Sequence, residues 1–477
     1  MGKHRVFGAL LASMVLVACG GGEEASGPVD EAGDDGVRIT VNPDPFPSTY
    51  TPLESSTLVI RGAIILDGAG GQIEGGMVLV EAGRISAVGM DLDLPDDDSL
   101  IDIDASGKWV TPGIIDNHSH LGVYPSPAVS AHGDGNEISG PVTAEVWAEH
   151  GIWPQDPGFT RALAGGVTSM QILPGSANLF GGRGVTLKNV PGRTMQSMKF
   201  PGAPYTLKMA CGENPKRVYG YGGGRFPGGA PYSRMGNVAG YRAAWAEAVE
   251  YQRRLDTYAE EGGDPPARNL ELETLAGVLS GDILVHMHCY RADEMAVILD
   301  MAKDFGYSVA SFHHAVESYK IADLLAEAGA CSAMWADWWG FKMEAYDGVR
   351  ENISMVHAAG ACAIVHSDSD IGIQRLNQEA AKALSDGLRA GLNITKAEAW
   401  QWLSLNPARS LGIDGETGSL TPGKQADLVI WSGDPFSSYT RAERVFIDGA
   451  LVYDRNDPAR QPVTDFELGQ PGEGDAK

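Results

Sequence analysis

The chain has 477 residues, 43% of them apolar and 21% charged, enough for one large core and a smaller companion unit. It carries 36 basic against 62 acidic side chains, a formal charge of −26. Such a surface repels polyanions and argues against nucleic acid or an anionic membrane face as partner.

Residues 1–18 read as an export signal. Lys3 and Arg5 give a positive start, and the apolar run from Phe7 to Val17 is too short for a stable membrane span. The run ends in Leu16-Val17-Ala18-Cys19, which resembles the lipobox of bacterial lipoproteins and implies lipidation of Cys19. Gly20, where an inner-membrane retention signal carries aspartate, points to the outer membrane, facing the periplasm or the cell surface; a plain secretory signal is the alternative. Residues 19–55 are rich in Gly, Pro, Asp, Glu and Ser and read as a flexible tether, as do residues 456–477 as a tail.

From residue 56 to 112, short β runs are broken by Gly and Asp turns, and the same texture returns over 414–455. Two β-rich pieces flanking an α/β middle predict a small β-sandwich built from both ends of the chain. The middle, 113–413, alternates strands with helical patterns. Its candidate strands are Ile114–His118, Thr168–Leu173, Gly184–Lys188, Thr206–Ala210, Ile283–His286, Ser308–His313, Ser332–Ala336 and Ala363–His366. Eight such strands are the number that a (β/α)8 TIM barrel requires, although the link from third to fourth is short for a helix. A Gly/Pro-rich stretch, 212–236, and the polar helix after it read as an insertion over the barrel mouth. Phe180-Gly181-Gly182-Arg183-Gly184 lacks the Lys-Ser/Thr ending of a phosphate loop and reads as a turn. Cys211, Cys289, Cys331 and Cys362 each sit in or beside an apolar run without any Cys-x-x-Cys pair, which favours buried free thiols.

Seven of the eleven histidines fall into four tight groups, each ending one of these strands: His118-Ser119-His120, His286-Met287-His288, His313-His314 and His366-Ser367-Asp368. Strand ends gather on one face of a barrel, where imidazoles and a carboxylate can hold a divalent ion.

Val110-Thr111-Pro112-Gly113-Ile114-Ile115-Asp116-Asn117-His118-Ser119-His120 resembles the opening motif of the amidohydrolase superfamily. Asn406-Pro407-Ala408-Arg409-Ser410-Leu411-Gly412 and Gly418 to Leu428 resemble its closing motifs. The likeness runs from about Thr57 to Val452 and is greatest to the imidazolonepropionase-like branch, which includes exported dipeptidases acting on Xaa-Pro bonds. The resemblance implies His118, His120, His286, His314 and Asp368 as metal ligands, with Lys208 as the carboxylated lysine of a two-metal site; Lys188 and Glu213 are the alternatives for the bridge. It makes His288, His313 and Glu213 candidates for substrate contact. His366 has two readings, packing beside the metal or touching substrate.

The implied chemistry is metal-assisted hydrolysis of a C–N bond in an amide, cyclic amide or dipeptide, with Asp368 as general base. The cofactor expected is one or two zinc ions, with manganese or iron as alternatives, and the partners are a small molecule or short peptide, with a homo-oligomer an open option. A deaminase of an amino-heterocycle and an inactive surface-binding lipoprotein are the rival readings.

Overall fold

The computed structural model describes residues 44–221 and 229–461. The export segment, Cys19, most of the tether and the tail from 462 lie outside them. Among the described residues, no helix is long and apolar enough to cross a membrane.

Five strands precede the barrel: β1 (Leu58–Leu66), β2 (Gln72–Glu81), β3 (Arg84–Gly89), β4 (Ile101–Asp104) and β5 (Trp109–Pro112). Eight form it: β6 (Ile114–Ser119), β7 (Val167–Ile172), β8 (Phe180–Lys188), β9 (Tyr205–Ala210), β10 (Ile283–Cys289), β11 (Val309–His314), β12 (Cys331–Met334) and β13 (Ala363–Val365). Three follow: β14 (Leu428–Trp431), β15 (Ala442–Ile447) and β16 (Ala450–Asp454).

The two ends of the chain share one continuous mixed sheet, ordered β16-β15-β14-β5-β1-β2-β3. Strand β1 is the fork: its first half pairs with β4 and its second half with β5, both parallel. Ile60, Val78 and Val80 from one arm and Leu428, Ile430 and Phe446 from the other join a single buried cluster. Alternation puts Leu58 and Ile60 on that face, and a break in register after Ile60 returns Ala63 and Ile65 to it.

The barrel sheet runs β6 to β13 in chain order. Its ends meet without a regular ladder: the Asp368 N–H donates to the His118 carbonyl at 3.1 Å, and the Ser367 N–H to Asp116 Oδ1 at 3.2 Å. One strand departs from the expected all-parallel barrel. Strand β8 is antiparallel to both β7 and β9. Residues 173–179 connect it to β7 without a helix, and a parallel pair needs a crossover of a dozen residues or more. The reversal sends Lys188 to the barrel floor, where it pairs with Ser169 near the start of β7.

The helix Arg234–Glu261 does not roof the mouth as the sequence suggests. It packs beside the helices Leu270–Leu279 and Ala292–Phe305 and buries Tyr241, Trp245 and Tyr251 in the main core. Part of the expected tether is also docked: Lys199 Nζ donates to Asp44 at 2.7 Å, and the Tyr50 hydroxyl to Asp448 at 2.5 Å.

The four cysteines of the barrel are not free thiols. Cys211 is bonded to Cys289 and Cys331 to Cys362, with Cα separations of 5.2 and 4.4 Å. Each pair joins neighbouring strand ends, β9 to β10 and β12 to β13. Sequence spacing carries no such adjacency.

Candidate active site

The site is built where the strands release their carboxyl ends. His118 on β6 and His120 just after it are two residues apart, so both rings face inward. Asp368 follows β13 and is drawn against β6 by its own N–H bond to His118. Below it, Asp116 clasps the seam. It accepts from the His118 N–H at 3.1 Å, from the Ser367 N–H and from the Ser367 hydroxyl. Burial raises the Asp116 pKa to about 7 against these hydrogen bonds.

His314 and Asp368 both hold left-handed backbone, with φ of 69° and 48°. In β11, His313 points into the barrel, so strict alternation would send His314 outward. The left-handed turn brings it back over the mouth. Such conformations cost about 1–3 kcal/mol each and persist only where surrounding structure enforces them.

Three donor atoms converge. His118 Nε2 lies 3.3 Å from His120 Nε2, and Asp368 Oδ1 lies 3.4 and 3.2 Å from the two. A tetrahedral ion with bonds near 2.1 Å has ligand–ligand edges of about 3.4 Å, so this triangle has the size of one face. His314 Nδ1 is 3.8 Å from Asp368 Oδ2, and His118, His314 and His366 form a second group with donor atoms within 4.8 Å of one another.

Hydrogen bonding fixes what these atoms offer. His120 Nδ1 lies 2.8 Å from the Leu173 carbonyl, an acceptor only, so Nδ1 carries the proton and Nε2 presents a lone pair. That lone pair faces a carboxylate. Two acceptors this close repel unless a cation lies between them, which is the chemical reason these residues fit a metal. His366 strengthens the fit: its ring is buried and, among the described residues, neither nitrogen has a hydrogen-bond partner. Burial pushes the His118, His288, His313 and His314 rings well below the ordinary imidazole pKa, and His286 and His366 to about 3, so they are neutral ligands or hydrogen-bond donors. Burial alone would raise the Asp368 pKa; the imidazoles crowded around it, His314, His120 and His366, hold it well below the usual carboxylate range.

The other expected residues divide. Lys208 is fully buried, its Nζ donates to the Pro174 carbonyl at 3.0 Å, and burial lowers its pKa to about 7 despite Asp368 nearby. Lys188 is excluded from the site by the reversed β8. His286 stands outside the donor triangle: its Nδ1 lies 2.8 Å from His313 Nε2 and its Nε2 lies 3.0 Å from the Ser410 carbonyl, so both nitrogens are engaged below it. His286 and His288 share the inward face, but His286 sits one layer deeper, level with Lys208, and His288 is the one that reaches the mouth. The His288 ring centre lies 4.7 Å from that of His314, and its Nε2 is 3.3 Å from Asn214 Nδ2. His313 is not free for substrate, because its Nδ1 contacts His118 Nδ1 at 2.8 Å. Glu213 stands 3.7 Å from Lys342 Nζ.

Sequence reasoning missed the wall of the mouth. Trp335 stacks on His314 at 4.3 Å and 23°, and Trp338 stacks on Trp335 at 5.1 Å. Tyr290 stacks against His314 at 5.5 Å and lies 6.2 Å from Trp335, and Lys342 lies 4.1 Å over the Tyr290 ring. The run Trp335-Ala336-Asp337-Trp338-Trp339-Gly340-Phe341-Lys342 directly after a barrel strand was the available signal.

Residues 109–457 match the amidohydrolase family. The chain belongs to that family. Its members are metal-dependent, in keeping with the histidine cluster. The amidohydrolase is 32% identical to amidohydrolase tasK of Hapsidospora irregularis over 80% of this chain, which spans 40% of that protein's length. It is 26% identical to an imidazolonepropionase of Agrobacterium fabrum, over 77% of this chain and 86% of the relative. A solved amidohydrolase from Thermotoga maritima superposes with a TM-score of 0.75 at 34% identity, covering 83% of this chain and all of that one.

Proposed function

We propose that this amidohydrolase hydrolyses a C–N bond in an amide, cyclic amide or dipeptide, using a divalent ion, zinc by default, held by His118, His120 and Asp368 with His314 and His366 beside them. The observation that carries the reading is the triangle of three electron-pair donors with edges of 3.2, 3.3 and 3.4 Å. A bound divalent ion supplies Lewis acidity, acidifying water and polarising a carbonyl. Asp368 serves as general base: with Oδ1 in the triangle, Oδ2 is turned towards His314 and takes a proton from the attacking water, then returns it to the leaving nitrogen. His288, whose Nδ1 has no hydrogen-bond partner among the described residues, donates to the developing oxyanion. Trp335, Trp338 and Phe341 offer an apolar, planar wall beside the scissile bond, and Lys342 gives a carboxylate of the substrate a counter-charge. Lys208 is the residue suited to bridge a second ion if carboxylated, since it is buried beside the histidines and donates to the Pro174 carbonyl.

The chain is further proposed to be exported and lipidated at Cys19. Two disulfides in a chain with a signal-like start suit an oxidising compartment.

The test is metal content of the purified protein lacking residues 1–19, followed by hydrolysis of Xaa-Pro dipeptides, N-acyl amino acids and cyclic amides. Ammonia release from amino-heterocycles would instead identify a deaminase. No metal after reconstitution and no turnover would leave a surface-binding lipoprotein.

A further inference from the structure

Beneath the donor triangle three imidazoles form a string. His118 Nδ1 meets His313 Nδ1 at 2.8 Å, His313 Nε2 meets His286 Nδ1 at 2.8 Å, and His286 Nε2 meets the Ser410 carbonyl at 3.0 Å. All three side chains are essentially inaccessible to solvent. The carbonyl at the lower end can only accept. It therefore requires the proton of His286 on Nε2, which leaves His286 Nδ1 as an acceptor. His313 must then carry its proton on Nε2 and accept at Nδ1. His118 must carry its proton on Nδ1, leaving the Nε2 lone pair aimed at His120 and Asp368. One backbone carbonyl sets the polarity of the whole string.

We infer that His286 and His313 are positioning residues that transmit the acceptor character of the Ser410 carbonyl to His118, locking its Nε2 as a metal-binding lone pair. This gives the Asn406-Pro407-Ala408-Arg409-Ser410 segment a function. The helix Leu405–Ser410 brings the carbonyl under the barrel axis, and Asn117 Nδ2 donates to Ser410 Oγ at 3.1 Å, tying the same helix to β6. His120 is held in the matching way by the Leu173 carbonyl, so each histidine of the opening pair has its tautomer set from behind by a backbone acceptor, one directly and one through two rings.

The inference rests on the reading of His118 as a metal ligand, and the experiment separates the two. In metal-free protein labelled with 15N-histidine, His118 is expected to be protonated on Nδ1, and His286 and His313 on Nε2. A proton on His118 Nε2 would overturn the inference whatever the protein hydrolyses. His286→Leu, two rings below the donor triangle, is expected to shift His118 towards Nε2 protonation and to weaken zinc binding at the triangle by about 10–100-fold in chelator competition. Thermal melting of the metal-free variant checks that it is folded. A folded variant with unchanged His118 signals and unchanged zinc affinity overturns the proposal. If the variant does not fold, the wild-type spectrum alone decides. Expected tautomers in a wild-type protein that binds no zinc would uphold the string and refute the hydrolase reading.

Discussion

Lys188 closes β8 and Lys208 lies within β9, and the structure separates their roles sharply enough for a decisive substitution. Lys188 Nζ is fully buried, 2.9 Å from Asp448 Oδ1 and 3.4 Å from Asp427 Oδ1. Asp427 also accepts from Thr417 Oγ1 and the Asp448 N–H, so the lysine neutralises a carboxylate pair joining barrel floor to β14 and β15. Lys188→Met keeps the length and removes the charge. Breaking one partner out of a buried ion pair costs about 3–5 kcal/mol. With roughly 410 described residues and an unfolding entropy of about 2.1 cal/mol/K per residue, that is a fall in Tm of about 3–6 °C. The loss should depend on pH. Burial, then Asp427, raises the Asp448 pKa, and loss of Lys188 raises it further. A folded pKa above the unfolded one favours the folded state at low pH, and that stability is lost as pH rises through the folded value. The deficit should therefore be larger at pH 8 than at pH 5 by calorimetry. Zinc content should not change. A variant that melts normally but loses metal would put Lys188 back in the site and refute the reversed strand.

Other outcomes are expected. His118→Ala should lower bound zinc by elemental analysis, and unchanged stoichiometry would remove it from the ligand set. Asp368→Asn should reduce turnover of any substrate found by at least about 100-fold with native melting, since it removes the proton acceptor. His366→Ala should weaken zinc binding, whereas a merely packing ring would change only Tm. Replacing Cys331 and Cys362 by alanine should cost up to about 4 kcal/mol, the loop-closure value for a separation of 31 residues, measured in denaturant. Cys19→Ala should abolish incorporation of labelled fatty acid in cells.

The barrel was legible because buried strands announce themselves as short apolar runs, and each of the eight runs expected corresponds to a strand. Direction is another matter. A run such as Gly184–Lys188 reads the same for a parallel or an antiparallel strand, and only the missing helices on either side hinted at reversal. Disulfide pairing was equally hidden: Cys211 and Cys289 meet because β9 and β10 are neighbours, a fact of topology rather than of spacing.

The site shows where a period-2 pattern stops being informative. It places His286 and His288 on one inward face but does not say how deep each lies, and depth decides chemistry here. At the level of Lys208 a ring is surrounded by other rings and a backbone carbonyl, so it can only pass a hydrogen bond along; one layer higher it meets the open mouth. The same pattern misjudges His314, because a left-handed residue ends the alternation. The histidines that looked interchangeable within each pair are thus divided by geometry: His118, His120, His314 and His366 converge with Asp368, His286 and His313 support them from below, and His288 faces the aromatic wall. A barrel that spends two buried imidazoles holding a third has a use for the direction of its lone pair, and a metal ion is the partner that such a direction serves.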